Sequence, residues 1–178
     1  MDITIRRGMP ADARRLADLA ASTFRETFAV ENRPEDMALH VSRSYGVSQQ
    51  EAELANPEMT TLLAEVDGQL AGYAQLRASA VPDCVLGDTP LELWRFYVAA
   101  PWHGRGIAHA LMKGVEMEAR AHEAQTLWLG VWERNERAKS FYRKCGFADV
   151  GSQVFVLGTD VQTDRIMVRL VPSGPRVV

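Results

Sequence analysis

The sequence predicts one domain of the mixed α/β class, and three observations lead to this prediction. Strand-like and helix-like patterns follow one another along the 178 residues in the order β-α-α-α-β-β-β-α-β-α-β-β. Asp67-Gly68 separates two strand patterns and is typical of a tight β-hairpin turn. A glycine-rich turn near Gly104 joins a strand to a helix and begins a strand–helix–strand crossover. We expect the domain to span 1–171, with a flexible tail at 172–178.

The N-terminal third of the chain predicts one strand and three helices. Ile3 and Ile5 alternate with polar residues, which indicates a short strand. Apolar residues at helical spacing predict a long helix over 10–28. A second helix is predicted over 34–45, and a third runs from a cap at Ser48 towards residue 54.

The remainder predicts six strands and two helices. The strands are expected at 60–66, 70–76, 91–99, 126–132, 150–158 and 162–171, and the helices at 106–121 and 135–144. In the strand over 91–99, simple alternation places Glu92, Trp94, Phe96 and Val98 on one face.

Composition and charge exclude several classes of function. The net charge of the chain is -3, which argues against the strongly basic face that nucleic-acid binding requires. Cys84 and Cys145 lie far apart and outside any metal-binding spacing, so neither a disulfide framework nor a metal site is expected. No signal-peptide pattern or membrane-spanning apolar run is present, so we expect a cytoplasmic protein without a membrane partner.

The run Tyr97-Val98-Ala99-Ala100-Pro101-Trp102-His103-Gly104-Arg105-Gly106-Ile107-Ala108 has the features of an anion site. The first N–H groups of a helix lack intrahelical acceptors, and the helix dipole favours negative charge there. Gly104 and Gly106 allow the backbone to approach phosphate oxygens, and Arg105 adds a charge. An ordinary strand-to-helix turn is the alternative interpretation.

A second motif follows the next strand. Asn135, Ala138, Phe141, Tyr142 and Gly146-Phe147 match the pattern Asn-x-x-Ala-x-x-Phe-Tyr-x-x-x-Gly-Phe. With the run that begins at His103, this motif resembles the Gcn5-related N-acetyltransferase (GNAT) superfamily, whose phosphate loop reads Gln/Arg-x-x-Gly-x-Gly/Ala. His103 departs from the usual Gln or Arg, a change that backbone-mediated phosphate binding should tolerate.

The resemblance implies a fold, a co-substrate and a set of binding residues. The implied fold is a central, mixed, mostly antiparallel twisted sheet of about seven strands flanked by helices, with a splayed parallel pair of strands at its centre. The implied co-substrate is acetyl-CoA, used without a metal in direct transfer from a ternary complex. The implied cofactor-binding residues are Phe96, Tyr97, Val98, His103, Gly104, Arg105, Gly106, Ile107, Ala108, His109, Asn135, Ala138, Phe141 and Lys144.

Tyr142 and Glu92 are the candidate catalytic residues that the resemblance indicates. A phenol with a pKa of about 10 can donate a proton or hydrogen bond to the departing CoA thiolate. Glu92 is the candidate base for the acceptor amine, directly or through water. The alternatives are a Tyr142 that serves only in packing and a Glu92 at a solvated edge or in an ion pair with Arg95.

The acceptor is predicted from a closer resemblance to the bacterial spermine/spermidine N-acetyltransferase (PaiA-like) type. The matching segments are 23–28, 34–37, 127–133, 154–158 and 162–164. This resemblance implies a polyamine acceptor, such as spermidine or spermine, held by acidic residues.

The candidate substrate-binding residues are Glu26, Glu31 and Glu35, and a second acidic-polar cluster contains Asp160, Gln162 and Asp164. Either cluster could instead be a solvated face. The alternative functions are acetylation of a protein N-terminus, a lysine or an antibiotic amine, or a non-catalytic acyl-CoA-binding regulator. A homodimer is compatible with the resemblance.

Overall fold

The computed structural model describes residues 1–172 and is organised around a seven-stranded sheet with the order β1-β2-β3-β4-β5-β7-β6. The strands are β1 Ile3–Arg7, β2 Met59–Val66, β3 Gln69–Arg77, β4 Pro90–Val98, β5 Thr126–Trp132, β6 Ala148–Leu157 and β7 Asp160–Leu170. All neighbouring pairs are antiparallel except β4 and β5. The predicted fold class is therefore confirmed.

Helices cover both faces of the sheet. They are α1 Ala13–Phe28, α2 Pro34–Ser44, α3 Val47–Ala55, α4 Ile107–Ala121 and α5 Glu136–Lys144. Buried Leu111 of α4 belongs to the core that covers one face, together with Leu62 and Leu127 of the sheet. Leu16 of α1 packs with Tyr73 in the core of the opposite face. The sheet thus separates an α4 face from an α1/α2 face.

The hairpin between β2 and β3 follows the sequence prediction. Val66 pairs with Gln69, so the connection contains two residues. Asp67 has φ 49° and Gly68 has φ 81°, and positive φ at both central positions is the signature of a type I′ turn.

Strands β4 and β5 diverge after a short stretch of pairing. Only Pro90, Leu91 and Glu92 pair with β5, opposite Thr126 to Trp128. The rest of β4 pairs only with β3, and the rest of β5 pairs with β7. A wedge-shaped gap therefore opens in the sheet and leaves main-chain groups of both strands without a neighbouring strand. The predicted splayed parallel pair is confirmed.

A β-bulge in β4 overturns the predicted alternation of its side chains. Gln75 pairs with Arg95 but Leu76 pairs with Leu93, so Trp94 is an extra residue. Phe96 and Val98 pack on the α4 core, whereas Trp94 stacks against Arg77 and Arg95 on the α1/α2 face. The prediction that Glu92 and Trp94 share a face with Phe96 and Val98 is therefore wrong.

Several predicted boundaries also shift. Gly46, and not Ser48, is the N-cap of α3, since the helix already begins at Val47. Strand β6 begins at Ala148, two residues before the predicted start. The predicted tail 172–178 lies outside the described residues apart from residue 172. No helix in the described part of the chain is long and apolar enough to cross a membrane.

Candidate active site

A cavity of about 640 Å³ passes through the gap between β4 and β5. On the α4 face its wall includes the turn before α4 and the inner side of α5; on the α1/α2 face it includes aromatic side chains of α1, β5 and β6. This volume lies within the range of ordinary small-molecule sites. The cavity therefore joins two chambers, one on each face of the sheet.

The turn before α4 leaves main-chain space beside the cavity. Gly104 has φ 73° and Gly106 has φ 84°, conformations that favour glycine. No atom lies within 4 Å of where a Cβ would stand at either position. Gly106 is the N-cap of α4, and no side chain caps the helix. The free N–H groups of the first turn can therefore bind an anion from the cavity side.

His103 connects this turn to its surroundings. Its Nε2 lies 2.7 Å from the Val98 carbonyl oxygen, and its Nδ1 lies 2.9 Å from Nη1 of Arg137. A carbonyl can only accept and a guanidinium can only donate, so the two contacts favour the tautomer that carries its proton on Nε2. His103 thus fixes the loop to β4 and orients Arg137, a cation that lines the cavity and that the sequence did not single out.

Helix α5 begins at the other side of the same chamber. Asn135 is its N-cap, and its Oδ1 accepts a hydrogen bond from the Ala138 N–H at 3.1 Å. Its Nδ2 makes no hydrogen bond among residues 1–172, so the amide can still donate to a ligand. Asn135 and Ala138 both line the cavity, as predicted.

Tyr142 is a buried residue of α5 that also lines the cavity. Its ring packs edge-on against Phe96 at 6.1 Å and against Phe147 at 5.7 Å. Burial raises the pKa of its phenol well above the ordinary value, with a smaller contribution from Cys145. Its hydroxyl has no hydrogen-bond partner within the described residues. The phenol therefore stays protonated at neutral pH and is free to donate.

Most of the predicted cofactor residues meet at this cavity. Those that line it are Phe96, Tyr97, Val98, His103, Gly104, Gly106, Ile107, Ala108, His109, Asn135, Ala138 and Phe141.

Arg105 and Lys144 are exposed and do not line the cavity. The Arg105 guanidinium lies 5.4 Å from the Trp102 ring. The Tyr97 ring stacks on Tyr73 at 5.6 Å, on the α1/α2 face and away from the α4 chamber.

Glu92 lines the cavity but is engaged in an ion pair. Arg77 Nε donates to Glu92 Oε2 at 2.6 Å, and the glutamate is 7% exposed. The predicted alternative partner, Arg95, instead donates to Glu53 at 2.6 Å. The second oxygen of Glu92, Oε1, has no hydrogen-bond partner in the described part of the chain.

The chamber on the α1/α2 face contains a carboxylate that the sequence placed only within an acidic-polar cluster. Asp164 of β7 lies between Trp132 of β5 and Gln153 of β6 in the sheet register, and all three line the cavity. Burial raises the pKa of Asp164 to about 6. The sequence predicted its position in a strand and the gap between β4 and β5, but not that Asp164 lies beside that gap.

The three predicted substrate-binding glutamates lie outside this cavity. Glu26 accepts a hydrogen bond from the Ala100 N–H at 3.2 Å, and Glu31 lies 3.5 Å from Arg134 at the surface. Glu35 is exposed at the start of α2. Their role in binding substrate stays a prediction without support from the cavity.

Comparison of the sequence with known protein families shows the family to which this chain belongs. The model of the acetyltransferase (GNAT) family matches residues 15–147. The chain therefore belongs to the GNAT family, and it is an N-acetyltransferase that uses acetyl-CoA as co-substrate. No group of three or more His, Cys, Asp or Glu side chains in residues 1–172 is placed to hold a metal ion.

Curated relatives agree with this assignment, and a solved structure shares the fold. The chain is 35% identical over 149 residues to an uncharacterized N-acetyltransferase of Lactobacillus delbrueckii subsp. lactis, covering 84% of this chain and 86% of the relative. It is 36% identical over 85 residues to the streptothricin acetyltransferase of Streptomyces lavendulae, covering 48% and 42%. The PaiA N-acetyltransferase of Thermoplasma acidophilum, solved in complex with coenzyme A, shares the fold with a TM-score of 0.78 at 22% identity, covering 96% and 99%.

Proposed function

We propose that this enzyme transfers the acetyl group of acetyl-CoA directly to a primary amine of a small molecule, in a ternary complex. The observation that carries the proposal is the cavity that passes through the sheet at the gap between β4 and β5. Cofactor and acceptor can enter from opposite faces and meet at the gap. No acetylated side chain is then needed as an intermediate.

The α4 chamber suits a long, anionic cofactor. The N-terminus of α4 and Arg137 supply positive charge for a pyrophosphate. The unpaired edge of β5 beyond Trp128 offers main-chain groups to an amide-containing arm, in the manner of an added strand. Tyr142 lines the same cavity, and we assign it the role of donor to the thioester sulfur.

The reaction requires two proton movements. A primary ammonium with a pKa of about 10 must lose one proton before its nitrogen can attack. The N–C bond then forms, the C–S bond breaks, and the thiolate gains a proton from Tyr142. The second nitrogen proton restores the Tyr142 phenol through water. The products are the acetamide, the CoA thiol and one proton released to solvent.

We assign the first proton to Glu92. Its Oε2 is held by Arg77, while Oε1 is left to accept a proton directly or through water. The ion pair fixes the carboxylate in place, which favours a reproducible path for the proton.

Two acceptor classes have separate support. A polyamine such as spermidine or spermine is supported by the sequence resemblance and by a shared fold with a PaiA protein. An antibiotic amine is supported by the partial similarity to a streptothricin acetyltransferase. A protein N-terminus or lysine needs an open groove, and the cavity beyond the gap is instead walled by rings of α1, β5 and β6.

A turnover screen tests the proposed function. Acetyl-CoA consumption is measured with polyamines, aminoglycosides, streptothricin, arylalkylamines, amino acids and N-terminal peptides, and products are identified by mass. We expect acetylation of at least one small primary amine. Tight CoA binding with no acetyl transfer to any of these compounds would contradict it.

Three further predictions extend beyond the site. We propose that the enzyme acts in the cytoplasm, that residues 1–171 fold as one domain, and that the protein forms a homodimer. Fractionation, limited proteolysis and light scattering test them in turn.

A further inference from the structure

We propose that Asp164 binds the ammonium group of the acceptor, and that the acceptor carries a single ammonium beside an apolar, aromatic body. The inference deepens the proposed amine acetylation and rests on it. The chamber on the α1/α2 face supplies the charged and aromatic side chains that would hold such an acceptor.

Asp164 is available to a ligand cation. No described cation pairs with it, and no described donor hydrogen-bonds to it. The two residues that flank the Asp164 carboxylate carry no charge. They are Gln153, which pairs with Asp164 from β6, and Gly130 of β5. A Cβ at position 130 would lie 3.2 Å from Asp164 Oδ2 and 3.1 Å from Gln153 Nε2. Glycine there leaves both polar ends uncovered at the edge of the gap.

The other charges that line the cavity already have partners or lie in the α4 chamber. Glu92 is paired with Arg77, and Arg95 is paired with Glu53. Arg137 stands beside His103, on the cofactor side. Within the described lining, Asp164 is thus the one carboxylate without a cation. A polyamine would bring several ammonium groups to a chamber that offers one free negative charge.

Aromatic rings form the rest of this chamber. Phe28 and Trp132 meet at 5.6 Å, and Phe155 lies 6.0 Å from the ring of His40. All of them line the cavity near the β5–β7–β6 edge. Such walls favour an aromatic or apolar body, and ring faces also stabilise an adjacent ammonium.

Calorimetry on the protein saturated with CoA tests the inference, with phenethylamine as probe. Because a hydrogen bond to a charged group contributes a substantial share of binding, we expect Asp164→Asn to weaken phenethylamine binding by about 10- to 100-fold. The neutral analogue 2-phenylethanol should bind wild type and variant alike, which also shows that the variant is folded. Asp88→Asn, an exposed loop aspartate outside the cavity, is the matched control and should bind phenethylamine like wild type.

The outcomes separate this inference from the proposed function. Equal phenethylamine affinity in wild type and Asp164→Asn, or no binding to wild type, overturns the role of Asp164. Tighter binding of spermidine than of phenethylamine overturns the single-ammonium acceptor. If phenethylamine binding depends on Asp164 but no amine is acetylated, Asp164 is a binding site for ammonium groups and the proposed function fails. If an amine is acetylated equally well by wild type and Asp164→Asn, the proposed function stands and the inference fails.

Discussion

Tyr142 is held at the gap by packing on Phe96 and Phe147, and its phenol keeps its proton because burial raises its pKa. We therefore expect Tyr142→Phe to lower kcat by about 100-fold or more, the usual scale of a lost general acid. The dissociation constant of CoA should stay near the wild-type value, since the ring is retained. Steady-state kinetics and calorimetry measure the two quantities.

Tyr73→Phe is the matched control for this variant. Tyr73 is also a buried tyrosine whose hydroxyl lacks a partner in the described structure, but it does not line the cavity. Its replacement should leave kcat unchanged. Wild-type turnover by Tyr142→Phe would remove Tyr142 from the mechanism.

Glu92 supplies a second prediction at this scale. If its carboxylate takes the ammonium proton, Glu92→Gln should lower kcat at pH 7 by about 100-fold, as expected for a lost general base. The deficit should shrink as the pH rises to about 10 and beyond, because about half of the amine is already neutral at its pKa of about 10. The pH–rate profile of the variant measures this. A profile that keeps the wild-type shape would show that Glu92 serves only in the ion pair with Arg77.

The ionisation of Asp164 also affects the free energy of unfolding of the protein. Burial raises its pKa from 3.8 to about 6, so the ionised carboxylate destabilises the folded state above that pH. The penalty is present in full above about pH 6 and disappears as the pH falls below about 4. Since one pKa unit equals about 1.4 kcal/mol, Asp164→Asn should be more stable than wild type by up to about 3 kcal/mol at pH 8.

Denaturant unfolding of wild type and Asp164→Asn between pH 4 and pH 8 checks this. The difference in unfolding free energy should be near zero at pH 4 and grow with pH. An aspartate with an ordinary pKa would give no such growth.

At the scale of the elements, the N-terminus of α4 depends on the backbone conformation of its N-cap residue, Gly106. Gly106 has φ 84°, which costs a residue with a side chain about 1–2 kcal/mol. Gly106→Leu should therefore shift the turn and weaken CoA binding about tenfold or more. Calorimetry with CoA measures the change.

Gly68→Leu is an unusually close control. Gly68 has φ 81°, and no atom lies within 4 Å of its Cβ position, as at Gly106. Both variants should lose similar stability, but the hairpin variant should bind CoA like wild type. Equal CoA affinity in both variants would argue against a phosphate site at α4.

At the level of elements, the sequence was sufficient where a local signal existed. The hairpin turn at Asp67-Gly68 and the helix α5 were both predicted from residue types, and Asn135 is the N-cap of that helix and not its first residue. The face occupied by Glu92 was not predicted correctly, because the bulge at Trp94 arises from pairing with β3 and has no marker within β4. Likewise, the residue type of Glu35 does not show whether its side chain lines a cavity, because the cavity is formed by strands that are distant in sequence.

At the scale of the whole molecule, the central feature is the opening in the sheet between β4 and β5. Pairing of β4 with β5 stops at Glu92, and the same opening gives the cofactor chamber an unpaired strand edge and gives the acceptor chamber access to the thioester. The family motif in the sequence pointed to the first chamber. The second chamber is assembled by α1, β5, β6 and β7, which lie far apart in sequence, so only the folded chain shows Asp164 beside Trp132 and Gln153.

Initial-rate kinetics with acetyl-CoA and an accepted amine varied together test this account most directly. Because both substrates must occupy the two chambers at once, double-reciprocal plots should intersect, and the protein alone should gain no acetyl group by intact mass. Parallel lines, together with an acetylated protein formed in the absence of amine, would contradict direct transfer through the gap.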